Sequence, residues 1–350
     1  MTHRDDTQDA MTLDLPAVTG WLKKHASITA PLQANLISGG RSNLTYRITD
    51  AEGRGFVLRR PPLGTLLPGA HDMPREHRIM AALASSPVPV PPVVGLCTDD
   101  DVLGAPFYVT GFVDGLIVRT EEEAQALDLT TRQTAAGDLA TTLVALHQIN
   151  PFDSGLAEAG RGSDYLARQL HVWRRQLDAQ KARDLPVMDR VHERLSQAIP
   201  EQRAIGIVHG DYRLDNVMIH RDGTVAAVLD WELWTLGDPL ADLAVTMTYW
   251  TDSEDAVGAV IGRPTTVPGF GDREDFRRAY TAAGGMEMPD DVLAYYLAFA
   301  SWRLAAILEG VYQRNRAGAY GDSGRDWKIF EEHVPQMARQ ADDYADQAGI

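Results

Sequence analysis

The stretch that most constrains how this chain can fold is residues 207–232, IVHGDYRLDNVMIHRDGTVAAVLDWE. Apolar β-forming runs at 205–209, 217–219 and 225–229 are crowded together, and the last two are joined across Asp222-Gly223. Asp-Gly between apolar runs is a strong hairpin signal. The short loops between these runs carry a histidine, two acids and an amide: His209, Asp211, Asn216 and Asp230. Asp211 and Asn216 stand in a D-x-x-x-x-N spacing. That spacing suits a carboxylate that orients a hydroxyl and accepts its proton, followed by an amide that binds magnesium. Reversal of the chain at Asp222-Gly223 returns it toward Asn216, so Asp230 and Asn216 can share a cation through hard oxygen ligands. Either acid alone would be read as a turn cap, but four such residues after two apolar strands favour phosphoryl-transfer chemistry. His209 is expected to be a structural hydrogen-bonder rather than a base.

Around this β island the chain falls into two halves of different hydrophobic period. Residues 36–48 and 55–60 carry β-formers, with the turn residues Asp50 and Gly53 between them, and 107–112 form a further strand closed by Asp114-Gly115. Ile79, Met80 and Leu83 recur at helical spacing and predict a helix over 75–85, with Pro74 near its start. The following PVPVPPVVG is a poor helix former. From 129 to 149 the period becomes helical, with Leu139, Leu143 and Leu146 on one stripe, and helical character continues over 164–198. Asp238-Pro239 suits an N-cap followed by proline at the first helical position, opening a helix through Tyr249. A long aromatic helix is expected at about 290–314. The fold class is therefore α+β: a small antiparallel sheet with one helix, then a mainly helical half.

Phosphoryl transfer requires a cradle for nucleotide phosphates. Ser38-Gly39-Gly40-Arg41-Ser42-Asn43 lies between strand-like segments, where Gly39 and Gly40 permit close backbone approach and Ser42 and Asn43 offer polar groups. It has neither the G-x-G-x-x-G spacing nor a P-loop lysine, and a plain hairpin turn is its simplest alternative. The cation that pairs with the phosphates is expected on the next strand, anchored by a helix glutamate. Strand alternation separates Arg59 from Arg60. Arg59 is assigned to the cleft, with Glu76 as its anchor.

The chain carries 33 basic and 49 acidic side chains, a net charge of −16. Such a chain cannot coat a polyanion with positive charge, so nucleic-acid and membrane-surface partners are disfavoured and a small molecule is expected. The single cysteine, Cys97, excludes an internal disulfide and a thiolate metal cluster. An acidic N-terminus without the pattern of a signal peptide, and an uncharged apolar run of only about 292–302, lead us to expect a soluble, cytoplasmic protein.

The set GGRSN, VLRRPP, PREHRIM, FYVTGFVDG, VHGDYRLDN, VLDWE and GDPLADLA resembles the aminoglycoside phosphotransferase family, which has a protein-kinase-like two-lobe fold. VLRRPP followed by LLPGAHDMPREHRIM most resembles the branch related to kinase-like modules fused to acyl-CoA dehydrogenases. The resemblance implies an extension over 1–28, a nucleotide-binding lobe over 29–113 and a catalytic lobe over 114–350. It implies ATP and Mg²⁺ as cofactors, Asp211 as catalytic base, Asn216 and Asp230 as magnesium ligands, and Glu76 paired with the strand cation. That cation is often lysine in the family, and Arg59 departs from it. Gly111 and Val113 fall where the inter-lobe hinge should hydrogen-bond adenine through backbone groups. Asp242 would buttress the catalytic loop.

Two acceptor classes fit a kinase of this kind. A polycationic aminoglycoside would call for carboxylates such as Asp322, Asp326, Glu331 and Glu332. A hydroxyacyl compound would call for aromatic walls, for which Tyr295, Tyr296, Phe299, Trp302, Tyr312 and Trp327 are available, although core packing is the simpler role for each. The branch resemblance favours the hydroxyacyl class. The alternative to a kinase is a nucleotide-binding regulatory pseudokinase with little turnover, supported by Arg59 alone.

Overall fold

The computed structural model describes residues 13–38, 43–62, 71–156, 158, 160, 162–181, 183–253, 255–317 and 327–350. The chain divides into two compact units, one running to Asp114 and including Ala227–Glu232, the other comprising Gly115–Ala226 and Leu233–Ile350.

The first unit opens with α1 (Leu15–Leu22), capped by Asp14, whose carboxylate accepts the Ala17 N–H at 2.9 Å. There follow β1 (Gln33–Ser38), β2 (Leu44–Thr49), β3 (Gly55–Arg60), α2 (Met73–Leu83), β4 (Val93–Cys97), the short α3 (Asp100–Leu103) and β5 (Phe107–Gly111). The five strands form one antiparallel sheet in the order β1-β2-β3-β5-β4. The hairpin between β2 and β3 turns on Asp50, which accepts the N–H groups of Glu52 and Arg54. Leu44, Tyr46 and Ile48 from β2, and Phe56 and Leu58 from β3, pack with Trp21, Phe107, Val109 and Cys97 into one core. Helix α2 begins two residues earlier than its periodicity suggests, because Asp72 caps it through the Arg75 N–H and Pro74 fits its first turn. Strand β4 is absent from the sequence expectation. The prolines of 87–92 keep the chain extended, and the proline-free end VVGLC then has N–H groups to pair with β5.

The second unit holds α4 (Glu121–Gln125), α5 (Leu129–Gln148), α6 (Tyr165–Gln180), α7 (Pro186–Gln197), β6 (Gly206–Val208), β7 (Val217–Ile219), the start of β8 (Val225–Val228), β9 (Thr235–Gly237), α8 (Pro239–Tyr249), α9 (Ala256–Ile261), α10 (Arg273–Ala282), α11 (Asp290–Arg316) and α12 (Lys328–Gln347). The helical stretch expected over 164–198 is two helices, the second starting at Pro186, which has no N–H to continue a preceding turn. Asp222-Gly223 makes the expected turn, with Gly223 at φ +91° and the His220 N–H donated to the Thr224 carbonyl at 2.8 Å. Any Cβ at Gly223 would lie 2.3 Å from the Thr131 carbonyl. Strand β9, only three residues long, pairs with β6 through Ile207↔Leu236 and was not anticipated.

Helix α11 runs the 27 residues from Asp290 to Arg316, well beyond the uncharged run visible in sequence, because Arg303 and Glu309 are taken into the interior. By length and composition it could cross a membrane, yet 83% of its most apolar window is buried among the other elements. Trp302 is fully buried there and donates to the Met188 carbonyl at 3.0 Å. Trp302→Ala is expected to cost about 3–5 kcal/mol of unfolding free energy, measurable by urea titration, since it removes a large buried side chain and orphans that carbonyl.

Candidate active site

In the second unit, β6 delivers His209, Gly210 and Asp211 into a loop anchored on a single carboxylate. Asp242, fully buried in the first turn of α8, accepts the His209 N–H at 2.7 Å and the Gly210 N–H at 2.9 Å. Asp238 caps that helix and is itself bonded by the Tyr296 hydroxyl at 2.6 Å. His147 Nε2 lies 3.3 Å from Asp242, and His147 Nδ1 bonds the Tyr280 hydroxyl at 2.8 Å. Burial pushes the Asp242 carboxyl up, but His147 and the backbone N–H groups hold it below the usual carboxylate range. The buttressing role expected of Asp242 is thus a direct pair of backbone bonds.

Gly210 sits at φ +82°, and a Cβ there would lie 2.9 Å from the Leu233 carbonyl, so glycine is required at this turn. His209 is fully buried and its Nδ1 accepts the Asp211 N–H at 3.2 Å, a structural role. The Asp211 carboxylate is gripped from several sides. Asn216 Nδ2 donates to Asp211 Oδ2 at 2.8 Å and to the Asp211 carbonyl at 2.9 Å. Arg213 Nε lies 3.4 Å from the same Oδ2 and 2.9 Å from Asp215 Oδ1, and its guanidinium covers the Tyr249 ring at 4.8 Å. The Tyr249 phenol faces Asp211; burial and that carboxylate both push the phenol far up, so it stays protonated. Burial pushes Asp215 up as well, against the pull of Arg213. A pocket beside this loop is lined by Arg119, Arg213, Asp215, Tyr249, Trp250 and Ile261 among others.

In the first unit, Arg59 of β3 and Glu76 of α2 form the expected ion pair, Nε to Oε2 at 3.3 Å. Arg59 also reaches Asp230 Oδ1 at 2.7 Å and lies 3.8 Å from Glu232. Arg60 points the other way, fully buried and 5.8 Å from the centre of the Tyr46 ring, as strand alternation requires. Residues 227–232, which the sequence reading placed in the catalytic lobe, group with the first unit: the Val228 N–H is donated to the Pro89 carbonyl at 2.8 Å, and Asp230 holds Arg59. Asp230 takes φ +59°, a left-handed conformation uncommon outside glycine. Burial opposes the charge on Arg59, but Tyr108, Glu76 and Asp230 more than offset it. Burial pushes Glu76 up to about 7 against the pull of Arg59.

Two partners of Glu76 complete this cluster. Tyr108, directly opposite Arg59 in the β3–β5 register, donates its hydroxyl to Glu76 Oε2 at 2.9 Å. Asn43 donates Nδ2 to Glu76 Oε1 at 3.2 Å, while its Oδ1 accepts from His71 Nδ1 at 2.8 Å. The Asn43 side chain is therefore engaged with Glu76 and His71. Gly39, Gly40 and Ser42 lie outside the described residues. At the expected hinge, the Gly111 N–H is taken by the Pro92 carbonyl at 2.7 Å, and Val113 is half-buried beyond the end of β5.

Each unit offers hard oxygen donors of the kind magnesium takes. With Nδ2 donated to the Asp211 carboxylate and carbonyl, Asn216 keeps Oδ1 without a hydrogen bond among the described residues; in the first unit, taken by itself, Asp230 keeps Oδ2 likewise. Among the described residues no three His, Cys, Asp or Glu side chains could hold a metal by themselves. Magnesium characteristically uses one or two carboxylates plus substrate phosphates. The proposed acceptor walls are placed otherwise. Tyr295, Tyr296, Phe299, Trp302 and Tyr312 are core residues, Trp327 is half-buried against Tyr312, Glu331 and Glu332 are exposed, and Asp322 and Asp326 lie outside the described residues. Tyr108, Arg213, Asp215, Tyr249 and His147 were not singled out from sequence, although Arg213 and Asp215 lie inside the loop motif.

The model of the phosphotransferase enzyme family, APH, matches residues 33–295. The chain belongs to this family. It is 36% identical over 348 residues to acyl-CoA dehydrogenase family member 10 of Mus musculus, covering 98% of this chain but 31% of that protein, so it spans about a third of the relative's length. A Ralstonia eutropha structure assigned as a candidate aminoglycoside phosphotransferase matches with a TM-score of 0.80 and 30% identity, covering 96% of this chain and 99% of that one. An amicoumacin kinase solved in complex with AMP-PNP, Ca²⁺ and Ami shares the fold, with a TM-score of 0.61 at 14% identity over 97% of this chain and 96% of that one. The fold is protein-kinase-like, and the family to which the chain belongs is one of phosphotransferases, which implies use of ATP.

Two measurements probe the clusters. Asp242→Ala leaves two buried N–H groups unbonded and should cost about 2–5 kcal/mol in urea unfolding. For Glu76, the folded pKa of about 7 lies above its ordinary 4.5. Its protonation therefore favours the folded state, a contribution complete below about 4.5 and lost as pH rises through about 7. The stability of the native chain relative to Glu76→Gln should fall by about 3 kcal/mol from pH 4 to pH 8. A flat difference across that range would contradict the assignment.

Proposed function

We propose that the protein transfers the γ-phosphate of ATP to a hydroxyl of a small molecule, with Asp211 as the base. The observation that carries this is the Asp211 carboxylate itself, held by Asn216 on a loop whose backbone is bonded to Asp242. A carboxylate restrained in this way orients the acceptor hydroxyl and takes its proton as the oxygen attacks phosphorus. Asn216 and Asp230 are the residues that would hold magnesium, which when bound neutralises charge on the transferring phosphate. Arg59, kept protonated by its carboxylate neighbours, is the cation for the nucleotide phosphates, and Glu76 orients it.

The acceptor is read as a hydroxyacyl compound rather than an aminoglycoside. The name of the acyl-CoA dehydrogenase relative points to the same class.

Purified protein with ATP and Mg²⁺ should consume ATP with hydroxy acids or their thioesters, and more slowly with aminoglycosides. Asp211→Ala should lower turnover by at least about 100-fold, the low end for loss of a positioned base. Undiminished phosphorylation by that variant would remove Asp211 from the mechanism. Nucleotide binding without turnover on any acceptor would instead identify a regulatory pseudokinase.

A further inference from the structure

Arg303 lies in the middle of α11, 5% exposed, with no carboxylate in ion-pair distance among the described residues. Its guanidinium stacks over Trp173 of α6, 5.1 Å from the ring centre, and its Nε has no hydrogen-bond partner among the described residues. A buried cation without an anion beside it costs several kcal/mol, and a methionine of similar length would fill the same space without that cost. Among the described residues its hydrogen bond goes from Nη2 to the Gly210 carbonyl, at 2.8 Å.

That carbonyl belongs to the peptide whose N–H is that of Asp211. The peptide immediately before Asp211 is therefore bonded on both edges, its C=O by Arg303 and its N–H by His209 Nδ1, while the preceding N–H is taken by Asp242. A charge-assisted bond is roughly twice as strong as a neutral one. Rotation of this peptide would swing the Asp211 Cα–Cβ bond directly. We infer that Arg303 is a positioning residue, which from the core of the helical unit locks the Gly210–Asp211 peptide and so aims the Asp211 carboxylate at the acceptor hydroxyl. The inference rests on Asp211 being the base.

The test compares Arg303→Met, Arg303→Lys and Arg303→Ala with the native chain in the ATP-consumption assay, with folded fraction and Tm followed by circular dichroism. Arg303→Met should lower kcat by about 10–100-fold, the scale of a misaimed catalytic group, while KM for ATP stays within about twofold. Arg303→Lys should recover part of the loss, and millimolar guanidinium chloride should raise the kcat of Arg303→Ala. A lowered Tm with unchanged kcat per folded molecule would show a purely structural residue and overturn the inference. Where the Arg303 variants do not fold, Trp173→Leu, which removes the ring beneath the guanidinium, should lower kcat with KM for ATP retained; an unchanged kcat there overturns it equally. Asp211→Ala in the same assay separates the two ideas. If that variant keeps its rate, the assigned base is wrong; if it is inactive while Arg303→Met is normal, only the role of Arg303 fails.

Discussion

A charged carboxylate buried where no water reaches it is tolerated only when donors surround it, and Asp242 is supplied with them by the loop it supports. The N–H groups of His209 and Gly210 would otherwise be orphaned at the end of β6, and Asp242 would otherwise be an uncompensated charge in the first turn of α8. Each satisfies the other. His147 and Tyr280 extend the arrangement into α5 and α10, so three helices and a strand converge on one loop conformation. The left-handed Gly210, the His209 side chain and the buried Arg303 then leave little freedom to the peptide that carries Asp211.

The first unit solves a different electrostatic problem. Arg59 is a half-buried cation against Glu76, Asp230 and Glu232, and the planar guanidinium fork meets Glu76 with Nε and Asp230 with Nη2 at once. A lysine, a point charge on a flexible stem, would engage them less rigidly. Tyr108 and Asn43 donate to one oxygen each of Glu76, which keeps the carboxylate aimed although burial favours its protonated form.

Much of this was legible before any coordinates because it is local. Alternation along β3 assigns Arg59 and Arg60 to opposite faces, Asp222-Gly223 makes a turn that only glycine fits, and Asp238-Pro239 opens α8. What escaped depends on contacts distant in sequence. Tyr108 meets Glu76 because β5 pairs with β3 in one particular register. Strand β4 hides behind prolines that speak only against a helix. The stripe of α11 is buried nearly all round, so its aromatic residues give no hint of which face meets which neighbour, and they prove to be core rather than pocket wall.

The sequence by itself determined the chemistry available to this protein: an acid, an amide and a second acid at fixed spacings around a β hairpin, in a chain of net charge −16. These are properties of residue type and short-range geometry, which propensity and turn chemistry express directly. Only the tertiary structure decided how those groups are held. It assigns Arg59 to Glu76 and Asp230 together, places Asp242 beneath the loop, and brings Arg303 from a distant helix to the peptide before Asp211. Such partnerships arise because buried polar groups must find partners wherever packing places them, and packing is a property of the whole chain.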